Sequence, residues 1–120
     1  MTKLTLFRNV HVLDVRHGRR RAGQVLVEGD AIRAVSDAAL PAEDARVIDG
    51  GGRTLMPGLI DCHAHVTFSQ TNLALLADTP QTTLTLRALP ILRDMLARGF
   101  TTVRDAGGAD WALKQAVDDG

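Results

Sequence analysis

The stretch PGLIDCHAHV, Pro57 to Val66, decides the fold. Pro57-Gly58 reads as a tight turn, and Leu59 to Val66 reads as a strand. Side chains two apart on a strand point to the same face. Leu59, Asp61, His63 and His65 therefore share one face, and Ile60, Cys62, Ala64 and Val66 share the other. The second face is apolar, with residues small enough for a helix to approach closely. The first turns polar toward its C-terminal end, where two imidazoles project together, as chelation of one metal ion requires. An isolated pair of histidines at a strand end is often incidental. Here two of the four histidines of the chain fall on one face of a strand expected to be otherwise buried. Burying them unpaired would cost on the order of 1–3 kcal/mol each.

Working outward from Pro57, the two flanks differ in character. Residues 1–56 read as all-β. Leu4, Leu6, Val10, Val12 and Leu13 lie in extended runs. Gln24–Glu28 and Ala31–Val35, joined by Gly29-Asp30, form a hairpin by pattern. Pro41–Asp44 reads as a polar loop. Val47–Asp49 is a short strand, Gly50-Gly51-Gly52 breaks it, and Thr54–Met56 leads into the turn. Arg19-Arg20-Arg21 reads as a solvated hairpin loop.

Residues 57–120 alternate β and α. Thr71–Ala77 reads as a short helix or ordered loop. Thr79-Pro80 reads as an N-cap followed by Pro at the first helical position. Leu84, Ala88, Ile91, Leu92 and Met95 recur at helical spacing. Pro90, inside that pattern, predicts a kink or a split. Gly99 is placed as a C-terminal stop. Phe100–Arg104 is a second strand, Ala106-Gly107-Gly108 a loop, and Asp110 a cap for a helix from Trp111 to about Val117. A β-α-β-α order predicts an α/β fold, the opening of a (β/α)8 TIM-like barrel left incomplete at this length.

Composition narrows the function. The chain has 120 residues, 45% hydrophobic and 23% charged, with zero formal net charge. No strong field favours nucleic acid or an anionic membrane. Aromatic residues are few (Phe7, Phe68, Phe100, Trp111), which argues against a base-stacking surface. Met1 to Arg8 lacks an apolar signal core, and no apolar run approaches a membrane span of about 20 residues. The expectation is a soluble cytoplasmic protein. Cys62 is the single cysteine, so no internal disulfide forms. Alternation sets Cys62 away from both histidines, so packing against a helix is expected rather than a Cys-His nucleophile. The Gly50–Gly52 run lacks the Lys-Ser/Thr continuation of a phosphate loop. Gly107-Gly108 before the final helix is expected to be a plain strand-to-helix connection rather than an anion site.

The segment Pro57–His65 resembles the first barrel strand of the amidohydrolase superfamily, whose signature is PG, two hydrophobic residues, then D-x-H-x-H. GFTTVRDAGG, Gly99 to Gly108, resembles the second-strand signature of the imidazolonepropionase-like and prolidase-like branch. EGDAIRAV and VIDGGGRTLMPGLID fit as well. The resemblance implies half of a small β-sandwich over 1–56 and the start of a metal-dependent hydrolase barrel over 57–120. It implies a divalent metal, usually zinc, in one or two copies, with His63 and His65 as first-strand ligands. Metal-activated water would hydrolyse a C–N bond in an amide, a cyclic amide or a dipeptide. The remaining ligands and catalytic residues, including a late aspartate, are expected on later strands. His11 and His17 match no family ligand. Asp105 matches a motif aspartate with an expected structural or supporting role. The 120-residue chain alone is expected to be inactive. The alternative is a non-catalytic remnant or split module that pairs with a complementing chain or with itself as a homo-oligomer.

Overall fold

The computed structural model describes residues 3–41 and 43–120. Met1 and Thr2 of the expected signal-free start, and Ala42 of the expected polar loop, lie outside the described residues. The chain divides into two compact units, Met1–Pro57 and Gly58–Gly120.

The first unit is a sheet of five strands. They are β1 (Leu4–Asp14), β2 (Arg19–Glu28), β3 (Ala31–Ser36), β4 (Arg46–Asp49) and β5 (Thr54–Leu55). The order is β3-β2-β1-β4, with β5 also paired to β1. β1 pairs antiparallel with β2 and parallel with β4 and β5. Leu6, Val10, Val25 and Leu26 are its buried residues, and Leu6 stands opposite Leu26. The hairpin expected at Gly29-Asp30 is present, with β2 antiparallel to β3.

β1 carries an extra residue. Phe7 pairs with Val25 but Val10 pairs with Gly23, so three steps on β1 match two on β2. Asn9 takes up the bulge with φ 52°, a left-handed value that asparagine tolerates. Its side chain donates to Asp49 Oδ1 at 3.0 Å, and the same oxygen accepts from Gly51 N at 2.8 Å.

The arginine run departs from expectation. Arg19, Arg20 and Arg21 lie in β2, opposite Asp14, Leu13 and Val12. The hairpin turn is instead Val15–Gly18, and Asp14 Oδ1 accepts from Arg16 N and His17 N. Backbone pairing does not require apolar side chains, so a solvated arginine run can extend a strand.

The second unit holds β6 (Leu59–Ala64), α1 (Leu73–Ala77), α2 (Gln81–Ala97), β7 (Phe100–Asp105) and α3 (Trp111–Asp119). β6 and β7 pair in parallel. The core gathers Ala64, Val66, Ala88, Met95 and Leu113, with Ile91, Leu92, Phe100 and Val103 packed around it. Ala88, Ile91, Leu92 and Met95 of the helical repeat therefore form the inward face of α2, and Leu84 is half-buried.

The start of α2 departs from expectation, and of the kink or split expected at Pro90 the split is absent. The N-cap is Pro80, not Thr79, and makes no side-chain cap bond. The Thr79 hydroxyl instead donates to Leu75 O at 2.6 Å. α2 also runs unbroken through Pro90. Pro90 is exposed, so water can reach the backbone carbonyl that loses its donor. Gly99, with φ 94°, follows the C-cap Arg98 as expected. Asp110 caps α3 by accepting from Leu113 N at 3.2 Å.

Candidate metal centre at the end of β6

β6 ends at Ala64, so His63 is its penultimate residue and His65 lies just beyond it. The two rings remain neighbours. Their centroids are 5.2 Å apart and their planes cross at 72°. The expected juxtaposition is thus present, although strand alternation alone does not produce it.

The burial expectation is corrected. Leu59 and Ile60 are 39% and 64% exposed, and both histidines are exposed. No penalty for buried, unpaired imidazoles operates here. Cys62 is exposed as well, so it does not pack against a helix. α2 packs on β7, and β6 is covered only near its end, where Ala64 and Val66 are buried. The pairing with β7 also shifts register between Asp61 and Ala64, which interrupts simple alternation around Cys62.

The structure shows what orients the His65 imidazole. His65 Nδ1 lies 2.8 Å from Gly107 O. A carbonyl oxygen only accepts, so in the neutral ring Nδ1 carries the proton and Nε2 keeps its lone pair. This is the arrangement by which histidine ligands are usually held for a metal. Phe68 stacks on the same ring: its own ring lies 4.6 Å from that of His65, at 15°. The backbone N of His63 donates to Asp61 Oδ1 at 3.0 Å within β6.

Asp105 lies half-buried at the end of β7. Oδ2 accepts from Val66 N at 2.8 Å, and Oδ1 accepts from Gly107 N at 2.9 Å and Ala109 N at 3.3 Å. Thr67, 1% exposed, sits against Gly108, and its hydroxyl has no hydrogen-bond partner among the described residues. Phe68 and the Gly107 carbonyl escaped sequence reasoning. The only signals were an aromatic three residues after His65 and a Gly-Gly pair after Asp105.

The other histidines are engaged elsewhere. His11 Nδ1 meets Gly52 O at 3.0 Å, and His17 Nδ1 meets Asp14 Oδ2 at 2.7 Å. The His17 bond holds the Asp14 carboxyl below its ordinary range. A groove of about 770 Å³ bordered by Leu96, Phe100, Trp111 and Val117 includes neither His63 nor His65.

Two imidazole nitrogens fit a divalent cation in donor type but do not close its coordination shell, since a zinc site takes at least three protein ligands. Among the described residues, no group of three or more His, Cys, Asp or Glu could hold a metal ion. The donor set fits part of a metal site.

Known proteins share this arrangement of elements. The model of the amidohydrolase family matches residues 54–120. A crystal structure of a prolidase complexed with N-methylphosphonate-L-proline is 45% identical, with a TM-score of 0.92 over 98% of this chain and 29% of that one. A crystal structure of an amidohydrolase is 50% identical, with a TM-score of 0.91 over 98% of this chain and 29% of that one. Imidazolonepropionase of Cereibacter sphaeroides is 47% identical over 51 residues, 42% of this chain and 13% of that protein. The chain therefore spans less than a third of the length of each relative.

Proposed function

Because this chain belongs to the amidohydrolase family, we propose that it forms the N-terminal part of a metal-dependent hydrolase acting on C–N bonds. Residues 1–56 make half of a small β-sandwich, and residues 57–120 open a (β/α)8 barrel with β6 and β7 as its first two strands. His63 and His65 contribute two ligands to a divalent metal, zinc in the first instance, with one or two ions in the intact enzyme. The prolidase relative favours a dipeptide or related small amide as substrate. Further ligands and the proton-transfer group come from later strands.

The observation that carries this reading is the adjacent pair, with the His65 ring anchored. His63 and His65 rings stand 5.2 Å apart, and the Gly107 carbonyl leaves His65 Nε2 free to donate. When bound, the metal supplies Lewis-acid chemistry and lowers the pKa of water toward neutrality. The contribution of this chain is to set two imidazoles side by side, with His65 held by the Gly107 carbonyl. Phe68 limits rotation of the His65 ring by stacking on it.

Zinc titration of the chain by calorimetry, beside His63→Ala and His65→Ala, tests the reading. Weak zinc binding, as two ligands allow, is expected, and is weakened further by either substitution. Equal affinity in all three proteins overturns it. No dipeptide hydrolysis is expected from the 120-residue chain with zinc, because two protein ligands leave the site open. Hydrolysis that needs both zinc and His63 would overturn the division of the site between this chain and later strands.

A further inference from the structure

Asp105 has a carboxylate filled by three backbone donors. Val66, which follows His65 directly, donates to Oδ2 at 2.8 Å. Gly107, whose carbonyl receives the His65 ring, donates to Oδ1 at 2.9 Å. Ala109 adds a longer bond to Oδ1 at 3.3 Å. The peptide after His65 and the residue that holds its ring are thus fastened to one side chain. Ala106 N donates to Ala64 O at 2.8 Å, which joins the same two segments on the near side of His65.

An N–H···O=C bond weakens steeply once its distance or angle departs from the optimum. The His65–Gly107 bond bridges residues 42 apart in sequence, so its geometry depends on how the end of β6 sits against the loop after β7. Bonds to a carboxylate are shorter and roughly twice as strong as neutral ones. A carboxylate is also the side chain that accepts on both oxygens. An asparagine offers one oxygen and one NH2, and in either flip the NH2 faces a backbone N–H.

We propose that Asp105 is a positioning residue for His65. By gathering the N–H groups of Val66, Gly107 and Ala109, it sets the spacing at which the Gly107 carbonyl holds His65 with its proton on Nδ1 and its lone pair on Nε2. The value of that tautomer to zinc rests on the proposed function. The control of the tautomer by Asp105 does not.

The test uses the 15N-labelled chain at about pH 8, where an ordinary imidazole is neutral. Long-range nitrogen–proton spectra of the His65 ring identify which nitrogen carries the proton. The wild-type chain is expected to show the Nδ1–H form. Asp105→Asn is expected to move His65 toward the Nε2–H form and to weaken zinc binding about tenfold or more. Asp110→Ala removes the α3 cap beside the same loop and is expected to leave the tautomer unchanged.

An Nδ1–H tautomer retained in folded Asp105→Asn overturns the proposal, as does an Nε2–H tautomer in the wild type. If Asp105→Asn does not fold, Asp105→Glu keeps the charge, displaces the oxygens by one methylene and is read the same way. Unfolding of both variants assigns Asp105 a purely structural role and overturns the proposal. A wild-type chain that binds no zinc, yet whose tautomer responds to Asp105→Asn, fails the proposed function and supports the positioning role.

Discussion

Gly108 lies directly against Phe68: a Cβ on the glycine would fall 2.7 Å from Cε1 of the Phe68 ring and would also overlap the Thr67 hydroxyl. Phe68 in turn stacks on His65 at 4.6 Å. The loop after β7 therefore limits where the aromatic partner of a candidate ligand can stand. Gly108 also has φ 108°, which side chains beyond glycine rarely adopt.

Gly108→Ala is expected to cost about 1–3 kcal/mol of stability, from backbone strain and overlap together. It should also displace Phe68. Chemical denaturation measures the first effect. Loss of the ring-current shift on the His65 protons measures the second.

Gly58 has a comparable constraint at the other end of β6, where a Cβ would overlap the side chain of Thr101. Gly58→Ala is expected to destabilise the β6–β7 pair. Adding Thr101→Ala removes Oγ1 and Cγ2, and should recover part of the loss. A double-mutant cycle checks this, because residues in contact couple where distant ones add. Additivity of the two substitutions would count against the close approach.

Asp110→Ala removes the acceptor for Leu113 N. An N-cap of this kind contributes about 1 kcal/mol. Hydrogen exchange is expected to quicken in the first turn of α3 while β6 amides stay protected. Unchanged exchange in α3 would show that the cap contributes nothing.

Met95 is 9% exposed and Leu96 is 62% exposed on adjacent positions of α2. Met95→Ala is expected to cost about 2–5 kcal/mol through the cavity it leaves. Leu96→Ala should change stability by no more than about 0.5 kcal/mol. Urea unfolding of the two variants compares them, and equal losses would contradict the orientation of α2.

The Asp49 carboxyl is held below its ordinary pKa, first by the Gly51 N–H bond and then by the Asn9 side chain. A depressed folded pKa gives stability that is present above the unfolded value near 3.9 and is lost as pH falls through the folded value. Asp49→Asn is therefore expected to melt below the wild type at pH 7. The gap should narrow as the pH falls below the unfolded value and the wild-type carboxylate protonates. Melting scans above and below that value measure it.

Much of the fold was legible because it depends on neighbours in sequence. The Gly29-Asp30 turn, the inward stripe of α2 from Ala88 to Met95, the stop at Gly99 and the Asp110 cap are all local patterns. The failures have local signals that tertiary context overrode. Arg19–Arg21 extend β2 because β1 offers backbone partners. Pro90 stays within α2, whose inward stripe packs on β7. Cys62 is uncovered because α2 packs on β7.

The sequence by itself determined the family signature and the β-α-β-α order, since both rest on local residue patterns, and it placed His63 and His65 two positions apart. Tertiary structure alone decided which nitrogen of His65 bears the proton. Its partner, the Gly107 carbonyl, lies 42 residues away and comes within 2.8 Å only because β6 and β7 run parallel and end together. A directional bond across that distance depends on strand register and loop path, which short-range residue patterns do not encode.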